Sequence, residues 1–560
     1  MDSTQTHIVI IGGVAAGATA AARARRIDEN AHITIIERGP YVSFANCGLP
    51  YFISRDIPKR SSLILQTPEG FLARYNVEVL LKHEAVSIDR AGKTVSVQSP
   101  SGMKSIPYDK LILAQGGNPV IPRIPGADAE HVFKVWTIPD MDAIHRFIDE
   151  KKPETAVVVG GGFIGLEMAE AFHARGIHTT IVELTGHLMP IMDTEFGRQI
   201  QNAFEEGGIQ VRTSCSVESI LPQTKDILLS GGERIKADIV LLSVGVSPET
   251  KLAREAGLSI GGSGGILVDN HLRTSDPDIY AAGDMIETVQ IVSGKKVRVP
   301  LAGPANRQGR IAASNALGMN MEYKGALGTS IVKVLSYTAG ITGLSEQAAK
   351  KEGFDTGVAI VHRNNHASYY PGAESISLKI VYDRKSGRLL GCEAFGKAGV
   401  DKRIDVCATA IQGGLTVSDL SELDLAYAPP YSSANDPLNM AAFVAMNHMS
   451  GMSPVATAEE VREAIKAGDA LILDVRTYGE YAKGHVAGSL HIPVDELRDR
   501  CGEVPAKKAL FLCSKDGFEG HIALRILMQS GFSNVKNITG GYKSIELIGG
   551  YSIESDSGSF

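Results

Sequence analysis

The stretch SFANCGLPY, residues 43–51, sets one thiol, Cys47, among small and turn-forming residues. A thiolate is a strong nucleophile and oxidises reversibly, to a sulfenic acid or to a disulfide. A second cysteine five residues away could store an electron pair as an internal disulfide, but Val42 and Phe52 occupy those two positions. If this sulfur cycles, its oxidised partner must come from elsewhere. A second thiol, Cys513 in ALFLCSKDGFEGH, ends an apolar run and opens a loop before a helical pattern. Loop N–H groups and a helix dipole there can stabilise a thiolate or persulfide. Cys501 has no such context and reads as structural.

The elements that must position Cys47 begin with HIVIIGGVAAGATAAARARR, residues 7–26: a buried strand, a glycine turn and a small-residue helix. Gly12 and Gly17 fit the outer glycines of GxGxxG, while Val14 stands at the middle one. The next strand ends at Glu37, followed by Arg38, twenty residues after Gly17. An acid at that spacing accepts ribose hydroxyls, and the phosphates sit on the helix N-terminus. Residues 154–184 repeat the design with the full motif, Gly160, Gly162 and Gly165, and Glu183 eighteen residues on. Two such folds imply two dinucleotides. Leu184, not a basic residue, follows Glu183, which favours NADH, with NADPH the open alternative.

The bulk properties fit an enzyme built this way. A chain of 560 residues divides into about three to four domains. Apolar content of 44%, charged content of 21% and 60 glycines suit an α/β protein with many glycine turns. A net charge of −7 without basic runs argues against nucleic acid. The first strand pattern starts within seven residues, leaving no room for a signal peptide. No apolar run reaches the roughly eighteen residues of a membrane span. Six cysteines without metal-ligand spacing point to a reducing cytoplasm and no metal.

LRTSDPDIYAAGD, residues 272–284, resembles the flavoprotein segment whose closing aspartate, here Asp284, binds a ribityl chain. YDKLILAQGG (108–117), with Ala114 and Gly116, and ADIVLLSVGVSPET (237–250), with Gly245, resemble the crossovers between two nucleotide domains. Together these motifs resemble the two-dinucleotide disulfide-reductase family. The resemblance implies FAD in the first site, NADH in the second, and a FAD domain split around the NAD domain.

Around Cys47 the sequence resembles the single-cysteine branch: coenzyme A disulfide reductases, with NADH oxidases and peroxidases as neighbours. In the latter a histidine accompanies the first glycine turn. GGVAAGATAAARARR has none, which argues against peroxide chemistry. The resemblance implies that Thr19, Arg26, Ser43 and Asn46 contact a coenzyme A thiol, with Arg23 on the same helix face. Guanidinium forks match its phosphates, although Arg23, Arg25 and Arg26 equally fit a solvated face. Residues 326–446 resemble the family's interface domain. By resemblance Tyr369 and Tyr427 lie beside the partner subunit's Cys47, with Tyr370 and Tyr431 as alternates; interface packing is the competing role for tyrosines. Asn435 stands where relatives offer a lysine.

ALILDVRTYGEYAKGHVAGSLHIP, residues 470–493, resembles the rhodanese pattern at nearly every position. The Cys513 loop is one residue longer than in that family and carries Glu519 where an arginine is expected, which disfavours thiosulfate. The expected fold is therefore α/β multidomain: FAD domain 1–122 and 251–325, NAD domain 123–250, dimerisation domain 326–446, linker 447–456 and rhodanese-like domain 457–560. The expected protein is a cytoplasmic homodimeric flavoenzyme with FAD and NADH. It reduces coenzyme A disulfide, persulfide or polysulfide at Cys47, with sulfane sulfur delivered by Cys513. The alternatives are an NADH oxidase or peroxidase, and a C-terminal module that only binds sulfur or docks.

Overall fold

A computed structural model describes residues 5–468, 470–506 and 508–556. The chain forms two compact units. One comprises the residues up to Thr185 together with Ile209–Gly328; the other comprises Gly186–Gly208 and the residues from Thr329 onward.

In the first unit, the runs HIVII and HITIIE are too continuously apolar to expose either face, and they form neighbouring parallel strands, His7–Ile11 and His32–Glu37. The sheet has five strands, in the order Ile279–Ala281, Lys110–Leu113, His7–Ile11, His32–Glu37, Glu78–Leu81. Its strand 279–281 returns after a second five-stranded sheet has been completed. That sheet orders Gln210–Arg212, His178–Val182, Thr155–Val159, Ile239–Leu242 and Val132–Phe133, again in parallel. A short antiparallel pair, Gly117–Pro119 with Val246–Pro248, accompanies the two crossovers between them. The helices Ala15–Ile27 and Ala302–Ala316 pack along one another, their contact faces rich in Ala and Gly.

The second unit holds an antiparallel sheet in the order Ser330–Val334, Tyr337–Gly343, Leu389–Gly396, Ser375–Asp383, Thr356–Asn364. The helix Val400–Gln412 packs on it. A parallel sheet follows, ordered Val455–Ala456, Val535–Ile538, Ala509–Cys513, Ala470–Asp474, Leu490–His491. The two sheets are joined by Thr539 Oγ1, which accepts the Ile360 N–H at 2.8 Å and donates to the Ile360 carbonyl at 3.3 Å. Of residues 447–456, read as a linker, 447–449 complete the helix Pro437–Met449 and Val455–Ala456 form a strand. The fold class is mixed α/β and multidomain. Among the described residues, no helix is long and apolar enough to cross a membrane.

Candidate active site

The two glycine turns are built alike. A Cβ on Gly17 would lie 1.8 Å from the Gly12 carbonyl oxygen, and one on Gly165 would lie 1.9 Å from that of Gly160. Only glycine lets each helix come this close to its strand. The Gly13 N–H donates to Glu37 Oε2 at 2.9 Å, and the Gly161 N–H donates to Glu183 Oε2 at 2.7 Å. The other oxygens accept from Gly39 N–H at 2.7 Å and Thr185 N–H at 2.8 Å. Each acid thus braces its turn, and a carboxylate's spare lone pairs still accept ribose hydroxyls. Arg38 donates to Asn118 Oδ1 at 2.9 Å on the crossover.

A bound nucleotide fits what these turns leave open. Nothing lies within 4 Å of a Cβ on Gly162, Gly116 or Gly245. Beside the expected flavin contacts, Gln115 Oε1 and Arg298 Nε are buried with no hydrogen-bond partner. Burial pushes the Asp284 carboxyl up to about 6, against the opposing pull of Arg298. Val14, at the N-cap of the first helix, makes no side-chain cap.

Cys47 sits in the single turn Asn46–Gly48, just before the helix Leu49–Ser54. The segment is pinned to the first glycine turn: the Ser43 N–H donates to the Gly13 carbonyl at 2.8 Å, and Leu65 N–H to that of Ser43 at 3.0 Å. Ser43 adopts a φ of 47°, a strained conformation for a residue with a side chain. The thiol is solvent-exposed, with Asn46 Oδ1 3.8 Å from its Sγ. A helix N-terminus ordinarily lowers the pKa of a thiol beside it. Instead the protein packed behind it, then Glu167 and Asp284, push the thiol up. Lost hydration is the largest cause, and the two carboxylates add to it.

Glu167 and Tyr51 are site residues that sequence reasoning missed. The Tyr51 hydroxyl, four residues past Cys47, donates to Glu167 Oε1 at 3.3 Å. Burial pushes Glu167 up to about 7. The available signal was position: Glu167 lies two residues beyond Gly165 in the helix Phe163–Ala174. Below about pH 7 Glu167 is neutral and leaves the thiol alone; above it, the carboxylate opposes thiolate formation. Glu167→Gln is therefore expected to speed iodoacetamide alkylation of Cys47 by about two- to tenfold above neutrality and not below. Equal rates across the whole pH range would remove Glu167 from this role.

Of the expected thiol-substrate contacts, Thr19, Arg23 and Arg26 stand on the helix Ala15–Ile27, which packs on Ala302–Ala316, whereas Ser43 and Asn46 belong to the Cys47 segment. Thr19 Oγ1 donates to Asn306 Oδ1 at 2.6 Å, and Arg23 Nε to Ser314 Oγ at 3.0 Å. Burial, then the charges of Arg310 and Arg26, hold Arg23 below its ordinary value, so three cations converge here. Asn306 and Arg310, nearly three hundred residues away in the chain, had no sequence signal. Arg25 departs from the solvated reading: it is buried and donates to the carbonyls of Tyr75, Asp28, Glu29, Ala31 and Asn76. Ala21 and Ala24 beside it are buried as well, and a buried guanidinium needs every donor satisfied.

In the second unit, Tyr369 and Tyr427 meet, their hydroxyls 3.3 Å apart, and both rings are exposed. This contact raises the Tyr369 hydroxyl. Tyr370 and Tyr431 are also exposed, but Tyr370 rests edge-on against His366. The two tyrosine segments are joined by buried Arg403, which donates to Asp436 Oδ2 at 2.7 Å and to the Asn365 carbonyl at 2.8 Å. Asn435 adjoins that aspartate.

Cys513 ends its strand fully buried, among Ile472, Phe511, Ile538 and Tyr542. Burial, then Asp474, hold the thiol well above its ordinary value, with Arg476 opposing. The expected thiolate-stabilising loop is thus closed over a neutral thiol. Its turn is fastened to the helix Gly541–Ile548 by Tyr542 N–H, which donates to the Ser514 carbonyl at 2.7 Å. A Cβ on Gly541 would lie 2.3 Å from that same oxygen. Arg476, forked on Asp474 with contacts of 2.6 and 2.9 Å, lies 3.7 Å over the Tyr542 ring. Glu519 keeps one carboxylate oxygen buried and unpartnered. Cys501 Sγ lies 3.9 Å from Ser530 Oγ, away from this loop.

Three family patterns match the chain: pyridine nucleotide-disulphide oxidoreductase over residues 6–309, its dimerisation domain over 329–437, and a rhodanese-like domain over 457–547. The crystal structure of reduced Bacillus anthracis CoADR-RHD superimposes with a TM-score of 0.94 at 41% identity, covering 97% of this chain and 98% of that one. A NAD-dependent persulfide reductase from A. fulgidus gives a TM-score of 0.90 at 39% identity, covering 96% of this chain and 100% of that one. The CoA-dependent NAD(P)H sulfur oxidoreductase of Pyrococcus abyssi is 36% identical over 78% of this chain and 97% of its own length. The chain belongs to the pyridine nucleotide-disulphide oxidoreductase family and carries a rhodanese-like domain at its C-terminal end.

Proposed function

We propose that the protein reduces coenzyme A disulfide, coenzyme A persulfide or polysulfide with NADH. The observation that carries this reading is a single exposed thiol, Cys47, pinned through Ser43 to the first glycine turn. The domains are read as FAD 1–122 and 251–325, NAD 123–250, dimerisation 326–446 and rhodanese-like 457–560. Gly12, Gly17, Glu37, Arg38, Ala114, Gly116 and Asp284 would hold FAD; Gly160, Gly162, Gly165, Glu183 and Gly245 would hold the nicotinamide nucleotide. When bound, the flavin passes an electron pair from nicotinamide to sulfur.

The chain's own residues do the rest. The Cys47 thiolate attacks the inner sulfur of a coenzyme A persulfide, forming a Cys47–coenzyme A disulfide and expelling hydrosulfide. The electron pair then cleaves that disulfide into two thiolates. Thr19, Ser43 and Asn46 orient the thiol arm, while Arg23, Arg26 and Arg310 take its phosphates. In the cytoplasmic homodimer we propose, the hydroxyls of Tyr369 and Tyr427 sit beside the partner subunit's Cys47 and protonate the leaving thiolate. Cys513, once its loop opens, supplies sulfane sulfur.

The test compares coenzyme A disulfide with pantethine, which lacks the phosphates. Arg310→Ala is expected to raise KM for the former about tenfold and leave pantethine unchanged. Equal effects on both substrates would move the phosphate site elsewhere.

A further inference from the structure

The second unit contains a buried cluster of four carboxyl groups and one ammonium that the redox chemistry does not use. Lys379, on the strand Ser375–Asp383, is 1% exposed. Its Nζ lies 2.9 Å from Asp193 Oδ2, 2.6 Å from Glu195 Oε1 and 2.7 Å from Glu346 Oε2. An ammonium has three donors, and all three are used. The fourth carboxyl group, Glu393 on the strand Leu389–Gly396, is fully buried. Its Oε1 accepts the Asp193 N–H at 2.8 Å, and its Oε2 has no partner. A carboxylate there would be a buried charge, with the three donors of Lys379 already taken by the other acids.

These groups come from two stretches of chain. Asp193 and Glu195 belong to Gly186–Gly208, which lies in sequence between two strands of the nucleotide-binding sheet but groups with the second unit. Glu346, Lys379 and Glu393 belong to the interface domain. The Asp193 carboxylate also accepts the N–H groups of Glu346 at 2.8 Å and Gln347 at 3.1 Å. We propose that the cluster is a proton-operated clasp, holding residues 186–208 on the interface sheet while Glu393 carries a proton and releasing them when that proton is lost.

Burial and the Asp193 and Glu195 charges outweigh the pull of Lys379 on Glu393. Burial, then the charge of Asp193, pushes Glu393 well up, and burial raises Glu195 as well. Lys379 holds Asp193 and Glu346 down despite their burial, and Lys350 adds to the hold on Glu346. Gln199, on the helix Thr194–Glu206, contributes only neutral bonds, accepting from Ser377 Oγ and donating to the Glu195 carbonyl. Lys543, on the helix Gly541–Ile548 packed against it, acts on His362 instead. The proton held by Glu393 stabilises the clasp at low pH, and that contribution disappears as pH rises through the folded value of this group. The pairs made by Asp193 and Glu346 fail only on strong acidification.

Hydrogen exchange of amides 194–206 in the flavin-loaded full chain tests this, after correction for intrinsic exchange. Protection in the wild type is expected to fall about tenfold or more as pH is raised from the mildly acidic range to the most alkaline pH at which the chain stays folded. Glu393→Gln, which mimics the protonated acid, is expected to keep its protection across that range. A variant that follows the wild-type curve overturns the clasp. Should the variant not fold, the wild type decides alone: pH-independent protection of 194–206 also overturns it.

Discussion

Replacing Cys47 by serine is expected to lower anaerobic NADH-dependent release of sulfide from coenzyme A persulfide by about a thousandfold or more. A serine hydroxyl does not ionise near neutrality and cannot form the mixed disulfide. The substitution costs little structurally, because the thiol is exposed and Asn46 Oδ1, its hydrogen-bond partner, lies 3.8 Å away. Stability should stay within ~0.5 kcal/mol of wild type, and the glycine turns should still take both nucleotides. Retained sulfide release in the variant would transfer the sulfur chemistry to another thiol. A wild type that stays idle until oxygen is admitted would replace the reductase by an oxidase.

The second large effect separates two glycines of one turn. Gly165→Ala places a methyl group 1.9 Å from the Gly160 carbonyl oxygen and 2.8 Å from Ser243 Oγ. The backbone must move, at a cost upwards of ~2 kcal/mol, and nicotinamide nucleotide binding goes with it. Gly162→Ala meets nothing within 4 Å, and its extended φ of −86° suits alanine. That variant should unfold at the wild-type temperature yet bind NADH at least about tenfold more weakly, because the methyl occupies the approach of the pyrophosphate. Calorimetry and a NADH titration on the two proteins read both halves. Unimpaired NADH binding by Gly162→Ala would place the nucleotide away from this turn.

Much of this was legible in the chain. The runs HIVII and TAVVV, each closed by a glycine turn, specify parallel strands because a continuous apolar run must be covered on both faces. The spacing from Gly17 to Glu37 and from Gly165 to Glu183 is set by one helix and one strand, so each acid falls beside its own turn. The unpaired Cys47 and the long pattern around Asp474 and Arg476 are local as well. Local rules of this kind depend on neighbours within a few turns of chain, and a sequence states them directly.

What the tertiary structure alone decided are properties of groups that meet from far apart. Asn306 and Arg310 join Thr19 and Arg23 only because two small-residue helices pack closely. Glu167 reaches Tyr51 across 116 residues, and their contact helps set the acidity around Cys47. Arg25 looks like its neighbours in sequence, yet burial turns it into a brace for five carbonyls. Cys513 has the position of a reactive thiol, but burial leaves it neutral and covered. Burial and long-range charge act through space, and no spacing along the chain encodes them. The residue types that can do the chemistry are therefore written in the sequence, while their protonation and access are set by what folds against them.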